Sequence, residues 1–293
     1  LPMNPSGRTY SVARIADMRL FYYELQKTYY REIREHLRTL GVRVPMTGSN
    51  HWTRDPLDFE LNAQLDYTDR HNYWSHPASP GSWLLENILF NPLPMSMDPG
   101  AGLLGILAGR RVLGKPFAVT EWNDGSTNEY RADAQLLFPA YSAMQNWHIF
   151  QFTYSTRQTD GTFLRPITYS FGIDDDPVQL ALYPVITRMF LRGDIQEARR
   201  EYAHFISARE LSDPAYYLDP VDVRRAALYT RAGIRFGGGK ADRSLIPNTA
   251  LEVASETKEL FWDIRTGRIR IDSPRTQGFA GFPASGTAVV CRN

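Results

Sequence analysis

Apolar side chains recur at steps of three and four between residues 12 and 40, at Ile15, Met18, Tyr22, Leu25, Tyr29, Ile33 and Leu37. That is the spacing of one helix face, and Gly41 follows as a helix stop. The pattern then shortens. Residues 42–47 predict a strand that opens into the polar, aromatic loop Gly48-Ser49-Asn50-His51-Trp52. A second strand is expected over residues 65–69, running into Arg70-His71-Asn72-Tyr73-Trp74-Ser75-His76-Pro77. Residues 77–99, rich in Pro, Gly and Ser, read as a long irregular surface loop, and residues 102–113 as a modest helix.

The run Lys115-Pro116-Phe117-Ala118-Val119-Thr120 predicts a short buried strand that ends on Glu121-Trp122-Asn123-Asp124. A helix is expected from about 129 to 146, opened by Ser126-x-x-Glu129 as a capping box. Residues 147–154 alternate like another strand, and Asp176-Pro177 opens an apolar helix that Gly193 stops. Strands interleaved with helices argue for a parallel sheet with crossover helices. Beyond residue 195 the texture changes to short β-like runs at 250–254, 259–263 and 268–272, which predict a small antiparallel module. The expected division is therefore 1–194 and 195–293, the second part being a linker and a β-rich accessory domain.

Composition narrows the partners. With 33 basic against 32 acidic residues and a formal net charge of +1, nucleic acid and membrane surfaces are not expected ligands. No apolar stretch approaches the roughly 20 residues of a membrane helix. One cysteine, Cys291, excludes an intrachain disulfide framework. His51, His71, His76 and Asp69 lack a tight metal-ligand spacing, so neither a metal nor a cofactor is expected.

Glu121 is where the pattern meets chemistry. A strand, an acidic tip, a loop and a helix are how a (β/α) barrel presents catalytic groups at its C-terminal face. A carboxylate beside Trp122 and Asn123 suits sugar chemistry.

Three motifs taken in order resemble glycoside hydrolase clan A, the retaining glycosidases built on (β/α)8 barrels. Thr120-Glu121-Trp122-Asn123 looks like the nucleophile at the tip of the seventh strand. His71-Asn72-Tyr73 looks like the sixth-strand His-x-Tyr, whose tyrosine hydrogen-bonds the nucleophile. The aromatic strand Trp147 to Tyr154 then falls in the place of the eighth. Asp69-Arg70-His71-Asn72-Tyr73-Trp74-Ser75-His76-Pro77 and Arg192-Gly193-Asp194 resemble large cellulase- and mannanase-like bacterial enzymes with appended β domains.

The resemblance implies an α/β fold comprising the C-terminal half of a TIM barrel, strands 5–8, followed by the antiparallel module. It also implies a β-linked poly- or oligosaccharide substrate, cleaved by double displacement, and a secreted or periplasmic location. The clan's acid/base Glu follows an Asn at the fourth strand. Asn128-Glu129 has those letters but lies past the nucleophile in a capping position. The acid/base and the first four strands are accordingly expected upstream of Leu1, and an isolated open half-barrel is expected to be poorly soluble.

A retaining mechanism needs two carboxyl groups about 5–5.5 Å apart. Glu121 suits the nucleophile, held by Tyr73 and accompanied by His71 at the rim. Asn50, His51 and Trp52 leave the preceding strand on the same face as sugar contacts, with Asn123 and Tyr154 beside them. Trp74 and Trp122 serve as stacking platforms or as packing, and Asp69 bonds a hydroxyl or orients His71. A barrel that keeps the aromatics but lacks the second carboxylate, and so binds carbohydrate without cleaving it, is the other reading. In that case only Asp69 or Glu60 could approach Glu121 as its acid.

Overall fold

In a computed structural model, residues 10–50, 52–76, 78, 89, 92–98, 102–153, 170–174, 176–248, 252–286 and 288–291 are described. Ser11 opens the first helix, α1 (Val12–Thr39), by accepting a hydrogen bond from the Arg14 amide at 3.3 Å. The helix ends at Gly41, whose φ of 85° only glycine adopts freely. Its apolar stripe is shallowly covered: Leu25, Tyr29 and Ile33 are exposed, and Arg19 is the buried residue, paired with Asp55.

The expected strand at 42–47 is not a strand. That segment lies beside the chain entering the first true strand, β1 (Thr68–His71), but side chains hold it in place of a ladder. The Asp66 amide donates to Met46 O at 3.0 Å, and the Asp66 carboxylate accepts from the Met46 amide at 2.9 Å. Between them runs α2 (Pro56–Ala63), with Asp55 as its N-cap and Pro56 in its first turn.

β1, β2 (Phe117–Trp122) and β3 (His148–Gln151) form a three-stranded parallel sheet in chain order. Helices α3 (Gly102–Ala108) and α4 (Arg131–Gln145) lie in the crossovers, and α5 (Pro177–Leu191) follows β3. α3 is shorter than expected because the chain turns at Gly109 and Arg110. Val112 then bridges Ile234, and the Leu113 amide donates to Ile234 O at 2.9 Å. Nor does α4 begin with the expected capping box. Its N-cap is Tyr130, without a side-chain cap, and Asn128 Oδ1 accepts from the Tyr130 amide at 3.1 Å. α5 starts as its sequence demands, with Asp176 accepting from the amides of Val178 and Gln179.

The region beyond 195 is only partly the expected antiparallel module. β6 (Glu252–Ala254), β7 (Leu260–Asp263), β8 (Arg268–Asp272) and β9 (Gln277–Ala280) form an antiparallel sheet in that order. Before them, β4 (Glu201–Ile206) and β5 (Arg231–Phe236) make a separate parallel pair. α6 (Ala208–Ser212) and α7 (Val221–Ala226) connect the two, and a true capping box is found there, between Ser207 and Glu210. The molecule is thus a mixed α/β protein with two parallel sheets and one antiparallel sheet.

One apolar cluster draws on both sides of residue 195. It joins Phe117 and Val119 of β2, Phe138 and Tyr141 of α4, Met189 of α5, Tyr202 of β4, and Trp262 and Ile269 of the antiparallel sheet. Trp262 is fully buried, its ring 5.7 Å from that of Tyr141 and its Nε1 donating to Ser96 O at 2.8 Å. Among the described residues no helix is long and apolar enough to cross a membrane.

Candidate functional site

Register decides what meets Glu121. From Ala118 to Glu121, β2 advances three residues while β1 advances two, from Asp69 to His71. The same strand advances three from Val119 to Trp122 while β3 advances two, from Ile149 to Gln151. β2 therefore bulges against both neighbours at Thr120–Glu121. A bulge of this kind re-aims side chains at a strand end. Here it sets Glu121 beside His71, with the Asn72 amide donating to Glu121 O at 3.1 Å.

The Glu121 carboxylate is 31% exposed, half-sheltered yet reachable. Its Oε2 accepts from the Tyr73 hydroxyl, and His71 Nδ1 lies 3.1 Å from the same oxygen. Among the described residues Oε1 has no hydrogen bond and is not sealed from solvent. One oxygen is anchored and the other is free.

Behind this pair lies a hydrogen-bonded support. Asp69, buried, accepts from the Thr120 amide at 3.0 Å and from Thr120 Oγ1 at 2.6 Å. Thr120 Oγ1 and Asn50 Nδ2 approach His71 Nε2 at 2.8 and 2.7 Å. Thr120 is the residue that sequence reasoning missed here. Its signal was its place before Glu121, where a bulge turns both side chains toward β1. The Tyr73 ring is stacked on Phe171 at 4.9 Å and meets Phe152 edge-on at 6.1 Å, which fixes where its hydroxyl points. Phe152 and Phe171 were not expected in this role either.

The expected sugar contacts separate into groups. Asn50 arrives, in contact with His71. Asp69 serves the strand and Thr120, with a longer 3.4 Å contact to Asn50, so its carboxylate is not turned to a ligand. Trp122 is a correction. It is 2% exposed, with its ring 4.6 Å from that of Phe138, because the bulge at Thr120–Glu121 returns it to the core face three residues past Val119. Asn123 is fully buried too, donating to Phe152 O at 2.7 Å and accepting from Gln151 Nε2 at 3.0 Å. It shapes the loop and offers nothing to a substrate. Trp74 is partly buried, its backbone bridged to Asp124 and its Nε1 donating to Leu93 O at 2.8 Å. Trp52 is 58% exposed but stacks on Arg110. His51 and Tyr154 lie outside the described residues.

The two carboxyl groups that could have served as the acid are both engaged locally. Glu60 accepts from Tyr23 at 2.6 Å and from Gln64, and Asp69 is held by Thr120. A third carboxyl, unanticipated, is Asp124. It is fully buried just past Glu121, with Asn128 Nδ2 at 3.0 Å from both its oxygens. Burial pushes it up to about 8, against the opposing pull of Asn128. Near neutral pH it is largely a protonated, uncharged clasp on the loop after β2.

No protein-family model, curated protein or solved structure matches this chain. What the site can do rests on its geometry.

Proposed function

We propose that this chain carries the nucleophile side of a retaining glycosidase site, with Glu121 attacking the anomeric carbon of a β-linked poly- or oligosaccharide. The observation that carries the reading is the asymmetry of the Glu121 carboxylate. The Tyr73 hydroxyl donates to Oε2 and His71 Nδ1 lies 3.1 Å from it, while among the described residues Oε1 takes no hydrogen bond. These contacts on one oxygen fix the plane of the group, so that the other oxygen points its lone pairs at a bound ring. In the second half of the reaction they also stabilise the carboxylate as it departs from the glycosyl ester.

On the same reading, β1, β2 and β3 correspond to strands 6, 7 and 8 of a (β/α)8 barrel. The segment at 42–50, which delivers Asn50 to His71, stands in the place of strand 5. The general acid comes from outside the described residues. A second reading, a carbohydrate-binding module without turnover, is favoured by one observation: Glu60 and Asp69 are both committed to local bonds.

Aryl glycosides with a good leaving group separate the two readings. A dinitrophenolate departs without protonation, so glycosylation of Glu121 needs no general acid. Burst release of dinitrophenol, abolished in Glu121→Gln while sugar binding persists, is the expected result. Equal release by wild type and Glu121→Gln would remove the nucleophile assignment.

A further inference from the structure

Among the described residues, Arg110 is a guanidinium without an anion. The residue is 6% exposed, yet its side chain has no hydrogen-bond acceptor and no carboxylate partner among the described residues. Its nitrogens are not sealed from solvent. One face is covered by the Trp52 ring, 4.1 Å from the guanidinium carbon. Such a cation normally finds a carboxylate, because removing it from water is costly. Other buried arginines here follow that rule or are otherwise bonded. Arg70 reaches Asp58 at 2.7 Å, Arg19 reaches Asp55 at 2.6 Å, and Arg111 donates to Gln145 O at 2.9 Å.

The surroundings of Arg110 sharpen the contrast. The preceding Gly109 packs on Pro220, where a Cβ would lie 3.3 Å from the proline ring, and this brings Arg110 to the 219–224 turn. Asp219 is there, but it is shared by Arg54 at 3.6 Å and by Arg224. Asp219 is thus already engaged by two guanidinium groups and makes no ion pair with Arg110. Burial, and then repulsion from Arg70, Arg54 and Arg224, pulls Arg110 down to about 10, with only Asp219 opposing. It remains charged at neutral pH and in want of a counter-charge.

We propose that Arg110, Arg54 and Arg224, walled by Trp52, form a binding site for an oxyanion, the phosphate or carboxylate group of a ligand. A guanidinium whose face is stacked on indole leaves its in-plane edge for a planar or tetrahedral oxyanion, the geometry of a bidentate pair. The indole supplies the apolar wall that such sites use to hold the rest of the ligand. Arg54 and Trp52 also line a cavity of about 400 Å³ with Tyr22, Tyr23, Tyr216 and Tyr217. A ligand anchored at Arg54 has aromatic space to occupy. The inference is independent of the reading of Glu121.

The test is calorimetric titration of the protein with sodium phosphate, sodium sulfate and sodium glucuronate at constant ionic strength. Saturable millimolar or tighter binding of at least one is expected, and the order of affinities tells a phosphate ligand from a carboxylated one. Arg110→Met is expected to weaken it at least tenfold. Should Arg110→Met fold poorly, Arg54→Gln, on a half-exposed side chain, is the second variant and is expected to weaken binding several-fold. Glu121→Gln is expected to leave it unchanged. Binding of none of the three anions, or binding indifferent to both arginine variants, would overturn the proposal.

Discussion

Replacing Gln145 by Met removes its three hydrogen bonds to residues 227–232, together with a longer 3.5 Å bond from Arg111 Nη1, with little change in side-chain volume. Gln145 is the last residue of α4 and fully buried. Its Nε2 donates to Ala227 O at 3.0 Å and Thr230 O at 2.6 Å, and its Oε1 accepts from the Ala232 amide at 3.0 Å. All three partners belong to the turn into β5, so one side chain stitches the three-stranded sheet's helix to the parallel pair beyond residue 195. Each buried group left unpaired costs about 1–3 kcal/mol, and partial relaxation brings three of them to about 3–5 kcal/mol. That is a large part of the roughly 5–15 kcal/mol by which a protein of ordinary stability stays folded. At a urea dependence of about 3 kcal/mol per molar, the midpoint falls by about 1–1.7 M. Urea unfolding should be followed by tryptophan fluorescence and by far-UV circular dichroism on the same samples. Both traces are expected to shift together. A loss below about 1 kcal/mol, or early melting confined to one probe, would refute the claim that the two halves are knit through Gln145.

Tyr73→Phe keeps the stack on Phe171 and deletes the hydroxyl bonded to Glu121. A hydrogen bond to a charged group is worth about 1.5–3 kcal/mol, so turnover of an activated aryl glycoside should fall about 10- to 100-fold; an unchanged kcat contradicts the role. Asp222 accepts from Tyr202 at 2.6 Å and contacts His204 Nδ1 at 3.0 Å. Burial alone would raise the Asp222 carboxyl, but these hydrogen bonds outweigh it and hold it down at about 2, while the Asp222 bond, against burial, raises His204. A depressed carboxyl gives stability that is complete above about pH 4 and is lost as pH falls toward 2. A raised histidine gives stability that is complete below about pH 6.5 and is lost as pH rises through its folded value. Asp222→Asn should therefore flatten the pH dependence of Tm at both ends, and parallel curves for variant and wild type would contradict the assignment. Gly281 has φ of 107°, and a Cβ there would lie 2.1 Å from Gly267 O. Gly281→Ala should cost at least about 2 kcal/mol in chemical denaturation, and a neutral result would mean that the end of β9 shifts easily away from the β7–β8 turn.

Long periodic segments were legible because burial of one face writes itself into the sequence. α1, α4 and α5 lie within a few residues of where their spacing places them, as do β2 and β3. Residues 42–47 carry β-like letters, but a strand is a property of two partners, and here Asp66 meets Met46 through one side-chain and one backbone bond in place of a ladder. β4 and β5 were missed for the opposite reason. Their pairing is parallel and spans α6 and α7, so no hairpin turn announces it. At the site, His71, Tyr73 and Glu121 were readable as motifs. Thr120 was not, because the β2 bulge that brings it to Asp69 and His71 is a matter of register. Trp122 misled, since its position past Glu121 suggested a platform and the same bulge returns it to the core.

The free Oε1 of Glu121 can be tested without knowing the general acid. A 2-deoxy-2-fluoro-glycosyl fluoride carries a leaving group that needs no protonation, and the fluorine at carbon 2 slows hydrolysis of the ester that forms. A panel of gluco- and manno-configured β-fluorides should be incubated with the protein and the products digested and mapped by mass. One glycosyl adduct is expected, on the peptide bearing Glu121 and absent in Glu121→Gln. An adduct on another carboxylate, or none from any member of a panel whose sugars bind, would contradict it.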